Sequence, residues 1–161
     1  MEIVEIKQVN NAIAEMVALF RVELYSYKGI ISEPNIEAGR EEMAEYLSAK
    51  FPVFAALVKG DYAGYVVCRV DSEVVWVESI FVKEEYRRHG VAAALHSKAE
   101  KIASIYGNDT VYNYVHPNNH RMIEFLRKRG YTVLNLIEIR KPYHDEKLSQ
   151  TIKVGEHEFD Y

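Results

Sequence analysis

Cysteine is almost absent: the chain of 161 residues carries one, Cys68. A single thiol forms no internal disulfide and no thiolate cluster for zinc, which accords with a reducing compartment. Long apolar runs are missing too. Stretches such as Val53 to Val58 fall far short of the roughly 18 residues that span a bilayer. The opening Met1-Glu2-Ile3-Val4-Glu5 has no basic segment followed by an apolar core, so no signal peptide and a cytoplasmic location are expected. Blocks of one charge sign are also lacking. Net charge is −4, and Arg127-Lys128-Arg129 is only a short basic group, so a footprint for nucleic acid is not expected. A mildly acidic chain is better suited to a cationic partner. His144 and His157 have no partner at metal-ligand spacing, so no metal site is expected.

What is present is ordinary for a globular protein: 48% apolar and 27% charged residues. The length suits a single domain over 1–161, with 142–161 as a C-terminal extension. About 70% of the unfolded surface of such a chain can be buried, so its core needs no staples.

Alternation over residues 2–8 predicts a first strand. Asn10 or Asn11 then suits a helix cap, and Ile13, Met16, Val17, Phe20 and Leu24 follow at helical spacing. Pro34 suits the first turn of a second helix carrying Ile36, Met43 and Leu47. Three β-rich segments follow, 54–59, 62–70 and 74–82, separated by turn residues. A helix is predicted from Gly90 to Tyr106, a strand over 110–116, and a helix capped by Asn118 or Asn119 and closed by Gly130. Tyr131 to Arg140 reads as a last strand. The order is β-α-α-β-β-β-α-β-α-β. Beyond it, Pro142 breaks the pattern, and only Ile152, Val154 and Phe159 could anchor the tail to the domain or to a second copy in a homodimer.

The most informative segment is Ile80-Phe81-Val82-Lys83-Glu84-Glu85-Tyr86-Arg87-Arg88-His89-Gly90-Val91-Ala92. A strand ends, a basic loop follows, and a helix starts at small residues. Helix N-termini offer unpaired amides and a partial positive charge to phosphate oxygens. Gly90 and Ala92 would let a ligand approach the backbone, and Arg87, Arg88 and His89 would add charge-assisted bonds. The bland alternative is a strand-to-helix turn with solvated arginines.

Arg87-x-x-Gly90-x-Ala92, after Glu78-Ser79-Ile80-Phe81-Val82 and Tyr86, resembles the central acetyl-CoA motif of the GNAT superfamily of acetyltransferases. Asn119 followed by Phe125, Gly130 and Tyr131 is similar to that family's next motif. The likeness covers about residues 50–141. It implies an α/β (α+β) fold with a mixed, mostly antiparallel central sheet flanked by helices. It also implies an enzyme that takes acetyl-CoA as donor. The backbone of Ile80, Phe81 and Val82 would pair with the pantetheine arm, with Arg87 at the loop's entry. Arg88, His89, Gly90, Val91, Ala92 and Ala93 would hold the pyrophosphate, mainly through amides. Asn119 would touch the cofactor near its thiol. The strands ending at Val82 and His116 would splay apart.

Two departures bear on mechanism. Leu126 stands where many members have a tyrosine that protonates the departing thiolate. Tyr114 stands where some have a glutamate.

Amine acetylation needs a group to accept a proton. Glu78 is the leading choice, because it interrupts an apolar run and matches a strand glutamate of some polyamine acetyltransferases. Burial there would raise its pKa. The alternative is a structural glutamate paired with an arginine. Tyr112, Tyr114 and His116 alternate onto one strand face. Tyr114 could supply the missing acid and His116 a relay, or the three could be aromatic packing. Cys68 is expected to be a small core residue. Glu23, Tyr25 and Tyr27 close the first helix, either to receive a cationic amine or as an exposed helix end.

The function these residues imply is direct acetyl transfer to a primary amine: a protein N-terminus, a lysine, a polyamine or another small amine. The alternative is a weak or inactive CoA-binding sensor.

Overall fold

Three of the four helices start at an asparagine. In the computed structural model, which describes residues Met1–Tyr161, the Asn10 side chain accepts from Ile13 N at 2.9 Å and opens α1, Asn11–Ser26. Asn35 accepts from Ala38 N at 3.0 Å and opens α2, Ile36–Ser48. Pro34 therefore lies before the cap, not in the first turn, because the asparagine oxygen satisfies an amide that a proline start would leave open. Gly90 opens α3, Val91–Ile105, with no side-chain cap. Asn119 accepts from Met122 N at 3.1 Å and opens α4, His120–Lys128.

The strands β1 (Glu2–Glu5), β2 (Val53–Val58), β3 (Asp61–Asp71), β4 (Val74–Val82) and β5 (Tyr112–Asn113) form one sheet in that spatial order. Every neighbouring pair is antiparallel except β4 with β5, which is parallel. This is the mostly antiparallel, helix-flanked sheet that the motifs imply.

Alternation along the strands builds two layers of core. Val53, Ala55, Tyr65, Val67 and Phe81 pack with Ile13, Met16 and Val17 of α1 and Met43 of α2. Ala56, Val66 and Cys68 are buried on the other face, against which α3 lays its buried Val91, Leu95, Ala99 and Ala103. Gly39 of α2 allows the closest helix approach: a Cβ there would lie 2.3 Å from the Ala14 carbonyl oxygen.

The chain divides into two compact units, Met1–Tyr114 and Val115–Tyr161. The first holds the sheet and α1 to α3. The second holds α4 and a hairpin of β6 (Thr151–Val154) and β7 (His157–Asp160), joined through Gly155 at φ 62°. No helix is long and apolar enough to cross a membrane.

Three expected strands differ: the first, expected over 2–8, ends at Glu5. The strand over 110–116 shrinks to Tyr112–Asn113, and residues 131–140 form none. A strand exists only where a ladder partner exists. β6 and β7 pair with each other, and Val133, Leu134, Leu136 and Ile139 stay exposed despite their strand-like composition.

Candidate active site

β4 changes character at Glu78. On its β3 side, Val67 pairs with Ser79 and Cys68 with Val77, so Glu78 is the extra residue of a bulge. On its other side, β5 pairs only at Trp76–Tyr112 and Val77–Asn113. From Glu78 to Val82 the backbone of β4 therefore has a ladder on one side only. That free edge contains the backbone of Ile80, Phe81 and Val82, the segment expected to carry a pantetheine arm. Their side chains do other work: Phe81 and Val82 are buried, Phe81 within the core.

The edge runs into the loop. A 3₁₀ turn at Glu84–Tyr86 leads to Arg87, and then Arg88 and Gly90 take φ of 65° and 80°. Both residues lie in the left-handed region, so the backbone turns sharply just before the helix starts. Gly90 has nothing within 4 Å of where a Cβ would lie, so its positive φ, not crowding, calls for glycine. The first amides of α3, those of Val91, Ala92 and Ala93, have no intrahelical acceptor and no capping side chain. The residues present thus fit a diphosphate: uncapped helix amides, a left-handed turn, and the exposed side chains of Arg88 and His89.

Arg87 points elsewhere. Its Nε donates to the Val82 carbonyl at 2.9 Å, its Nη2 to Glu23 of α1, and its guanidinium lies 5.7 Å from the Phe81 ring centroid. This group forms a wall of a cavity of about 340 Å³, whose floor includes Leu19, Val22 and Phe81. Beyond the loop, His89 lines a second cavity of about 410 Å³ with Lys59, Tyr86 and Val91.

Glu78 and Tyr114 meet at a residue that sequence reading passed over. Arg69 Nε donates to Glu78 Oε2 at 2.9 Å, and the guanidinium lies 5.2 Å from the Trp76 ring. Its pKa is driven upward chiefly by the hydrogen bond to Glu78, and also by Tyr114. Glu78 is therefore neighboured by charge, not by the hydrocarbon its sequence context suggested. Tyr114 stacks on Trp76 at 4.7 Å and 9°, and Tyr112 tilts against the same ring at 4.9 Å. The alternating tyrosines do share a face, and their immediate use is aromatic packing. Arg69 sits on β3 opposite Trp76 in the ladder. Cross-strand pairing was the signal that could have found it.

A second polar group lies on the helical layer. Glu42 of α2 accepts both prongs of the Arg21 fork at 2.6 Å each and the Tyr46 hydroxyl at 2.7 Å. Burial, then the bond to Glu42, push the Tyr46 phenol upward. Deeper still, the Tyr65 hydroxyl bonds Ser79 at 2.7 Å, and complete burial drives its pKa up, so both hydroxyls stay neutral structural partners.

Leu126 is buried in α4, and Asn119 caps that helix. The cap engages Oδ1 of Asn119 once, from Met122 N at 3.1 Å. Cys68 is a buried core residue, as expected.

Residues 15–131 match the family described as Acetyltransferase (GNAT). No significant match occurs among curated proteins. Among solved structures, the aminoglycoside acetyltransferase AAC(6′)-Iy bound to a bisubstrate analogue is 20% identical, with TM-score 0.65 over 89% of this chain and 98% of its own. Aminoglycoside 6′-N-acetyltransferase AAC(6′)-IG from Acinetobacter haemolyticus is 18% identical, with TM-score 0.64 over 90% and 100%. PaiA N-acetyltransferase from Thermoplasma acidophilum in complex with coenzyme A is 20% identical, with TM-score 0.63 over 80% and 89%. At these identities the likeness is one of fold.

Proposed function

The chain belongs to the acetyltransferase (GNAT) family and is an acyltransferase with acetyl-CoA as donor, and from that premise we propose that it moves the acetyl group directly to a primary amine. The observation that carries this reading is the continuous feature from the one-sided edge of β4 to the left-handed turn at Arg88–Gly90 and the uncapped start of α3. Acetyl-CoA supplies an activated thioester. The protein's own residues align, screen and move protons. The edge amide and carbonyl of Ile80 and the edge amide of Val82, whose carbonyl already accepts from Arg87 Nε, would hold an extended arm as an added strand holds a sheet. The amides of Gly90, Val91, Ala92 and Ala93, with Arg88 and His89, would hold the diphosphate.

An amine arrives protonated and must lose that proton before it attacks. Glu78 is the proposed acceptor, directly or through water, and Arg69 fixes its carboxylate. Tyr114, beside Arg69, is the proposed donor to the leaving sulfur. Leu126 has no proton to give. The acceptor class is a primary amine. The neighbours' aminoglycosides belong on a test panel with polyamines, lysine and peptide N-termini.

The test is thiol release from acetyl-CoA in the presence of that panel, with mass spectrometry of the products. Amine-dependent thiol release with an acetamide product is expected. Tight binding of CoA without turnover on any amine would favour a sensor and overturn the transferase reading.

A further inference from the structure

The loop between β4 and α3 contains a conformation that needs support. Arg88 is not glycine, yet it holds φ at 65°, two residues before Gly90 at 80°. A side chain in the left-handed region is disfavoured by contact between Cβ and the backbone, so neighbouring contacts must over-determine it. Arg88 and His89 are exposed and contribute no such packing.

The support comes from the preceding residue. Arg87 folds back over the 3₁₀ turn it follows, and its Nε donates to the carbonyl of Val82, the last residue of β4. Its guanidinium lies near the Phe81 ring, and its remaining prong meets Glu23. Backbone bonds from Tyr86 N to Lys83 O and from Arg87 N to Glu84 O, at 3.0 and 3.1 Å, close the turn inside this clasp. Glu23 is 64 residues away in the chain, on the last turns of α1. The side chains of Arg87 and Glu23 are 23% and 30% exposed, so water screens the pair only in part.

The geometry points to Glu23 as a positioning residue for the cofactor. Through Arg87 it holds the 83–90 loop in the shape that receives the diphosphate, and the Arg87 side chain is a strut, not a phosphate ligand. This rests on the cofactor site proposed above. It also ties the end of α1 to cofactor affinity.

The experiment compares parent, Glu23→Gln, Arg87→Gln and the double variant by calorimetric titration with CoA, by steady-state kinetics and by amide hydrogen exchange over 83–90. Glu23→Gln is expected to weaken CoA about five- to tenfold, in the range of ordinary coupling between sites. KM for acetyl-CoA rises while kcat at saturation is kept, and amides of the loop exchange faster. The double variant binds no more weakly than Arg87→Gln alone, since both changes break one clasp. A general loss of stability would not give that split or that non-additivity. Parent-like affinity in Glu23→Gln, tighter binding, or additive losses would each overturn the positioning role while leaving the cofactor site intact. If the parent fails to bind CoA, the reading of the site fails instead, and the exchange data alone decide whether Glu23 holds the loop.

Discussion

Arg69, paired with Trp76 in the β3–β4 ladder, reaches diagonally to the bulge residue Glu78, its Nε 2.9 Å from Oε2, at the point where the strand register breaks. The bulge presents Glu78 as an extra residue, and the arginine gives its carboxylate one orientation. A base can use such a fixed carboxylate. A purely structural pair would look the same at rest, so kinetics must separate them.

Glu78→Gln is expected to lower kcat about a hundredfold near neutral pH, the low end of what general acid–base groups contribute. The loss should shrink as pH rises toward the amine's own pKa of about 10, where the acceptor deprotonates unaided. Arg69→Gln should cost less, since it disturbs orientation and leaves the carboxylate. A pH–rate profile of Glu78→Gln that superimposes on the parent's would make the pair structural.

Gly90→Val should fold, because open space surrounds the position, at a cost of roughly 1–2 kcal/mol for a left-handed branched residue. The rise in Tm that CoA gives the parent should vanish, while Gly90→Ala keeps part of it. Thermal shifts with and without CoA check this. A full CoA shift in Gly90→Val would exclude the turn from the cofactor site.

Gly39→Ala should destabilise more than its size suggests. The added methyl meets backbone atoms at 2.3 and 2.9 Å, and backbone cannot rotate aside as a side chain can. We expect a loss of about 2–3 kcal/mol, the upper part of the usual overpacking range, lowering Tm by about 5–10 °C. Urea denaturation measures it, and a neutral result would mean that α1 and α2 slide freely.

Burial pushes the Cys68 thiol from 9.0 up to about 12. The folded chain therefore keeps its proton where the unfolded chain loses it. Its contribution to stability is complete below about pH 9 and is lost progressively from there toward about pH 12. The slope is at most about 1.4 kcal/mol per pH unit. Tyr46 and Tyr65, also raised by burial, act in the same direction at higher pH. Cys68→Ala should flatten the first part of that decline in denaturation curves at successive pH values. Equal slopes in parent and variant would show that the thiol ionises in the folded state.

Much of the fold is legible in local sequence. Helix starts at Asn10 and Asn119, the three-strand meander and the glycine-started helix α3 all depend on local chemistry: a side-chain acceptor, alternating β-branched residues, one residue tolerant of positive φ. Residues 131–140 show where local reasoning stops. Their composition favours a strand, but a strand is a property of two segments, and no segment forms a ladder with 131–140.

The sequence by itself therefore determined the element order through α4 and the family, and marked 83–90 as the candidate cofactor loop, because each is written in contiguous residues. Only the tertiary structure decided that Glu78 answers to Arg69, that Arg87 turns to Glu23 and that Gly39 sits against Ala14. Each of those pairs joins residues remote in the chain or set by a register break, and its strength depends on distance and burial, which no local pattern encodes.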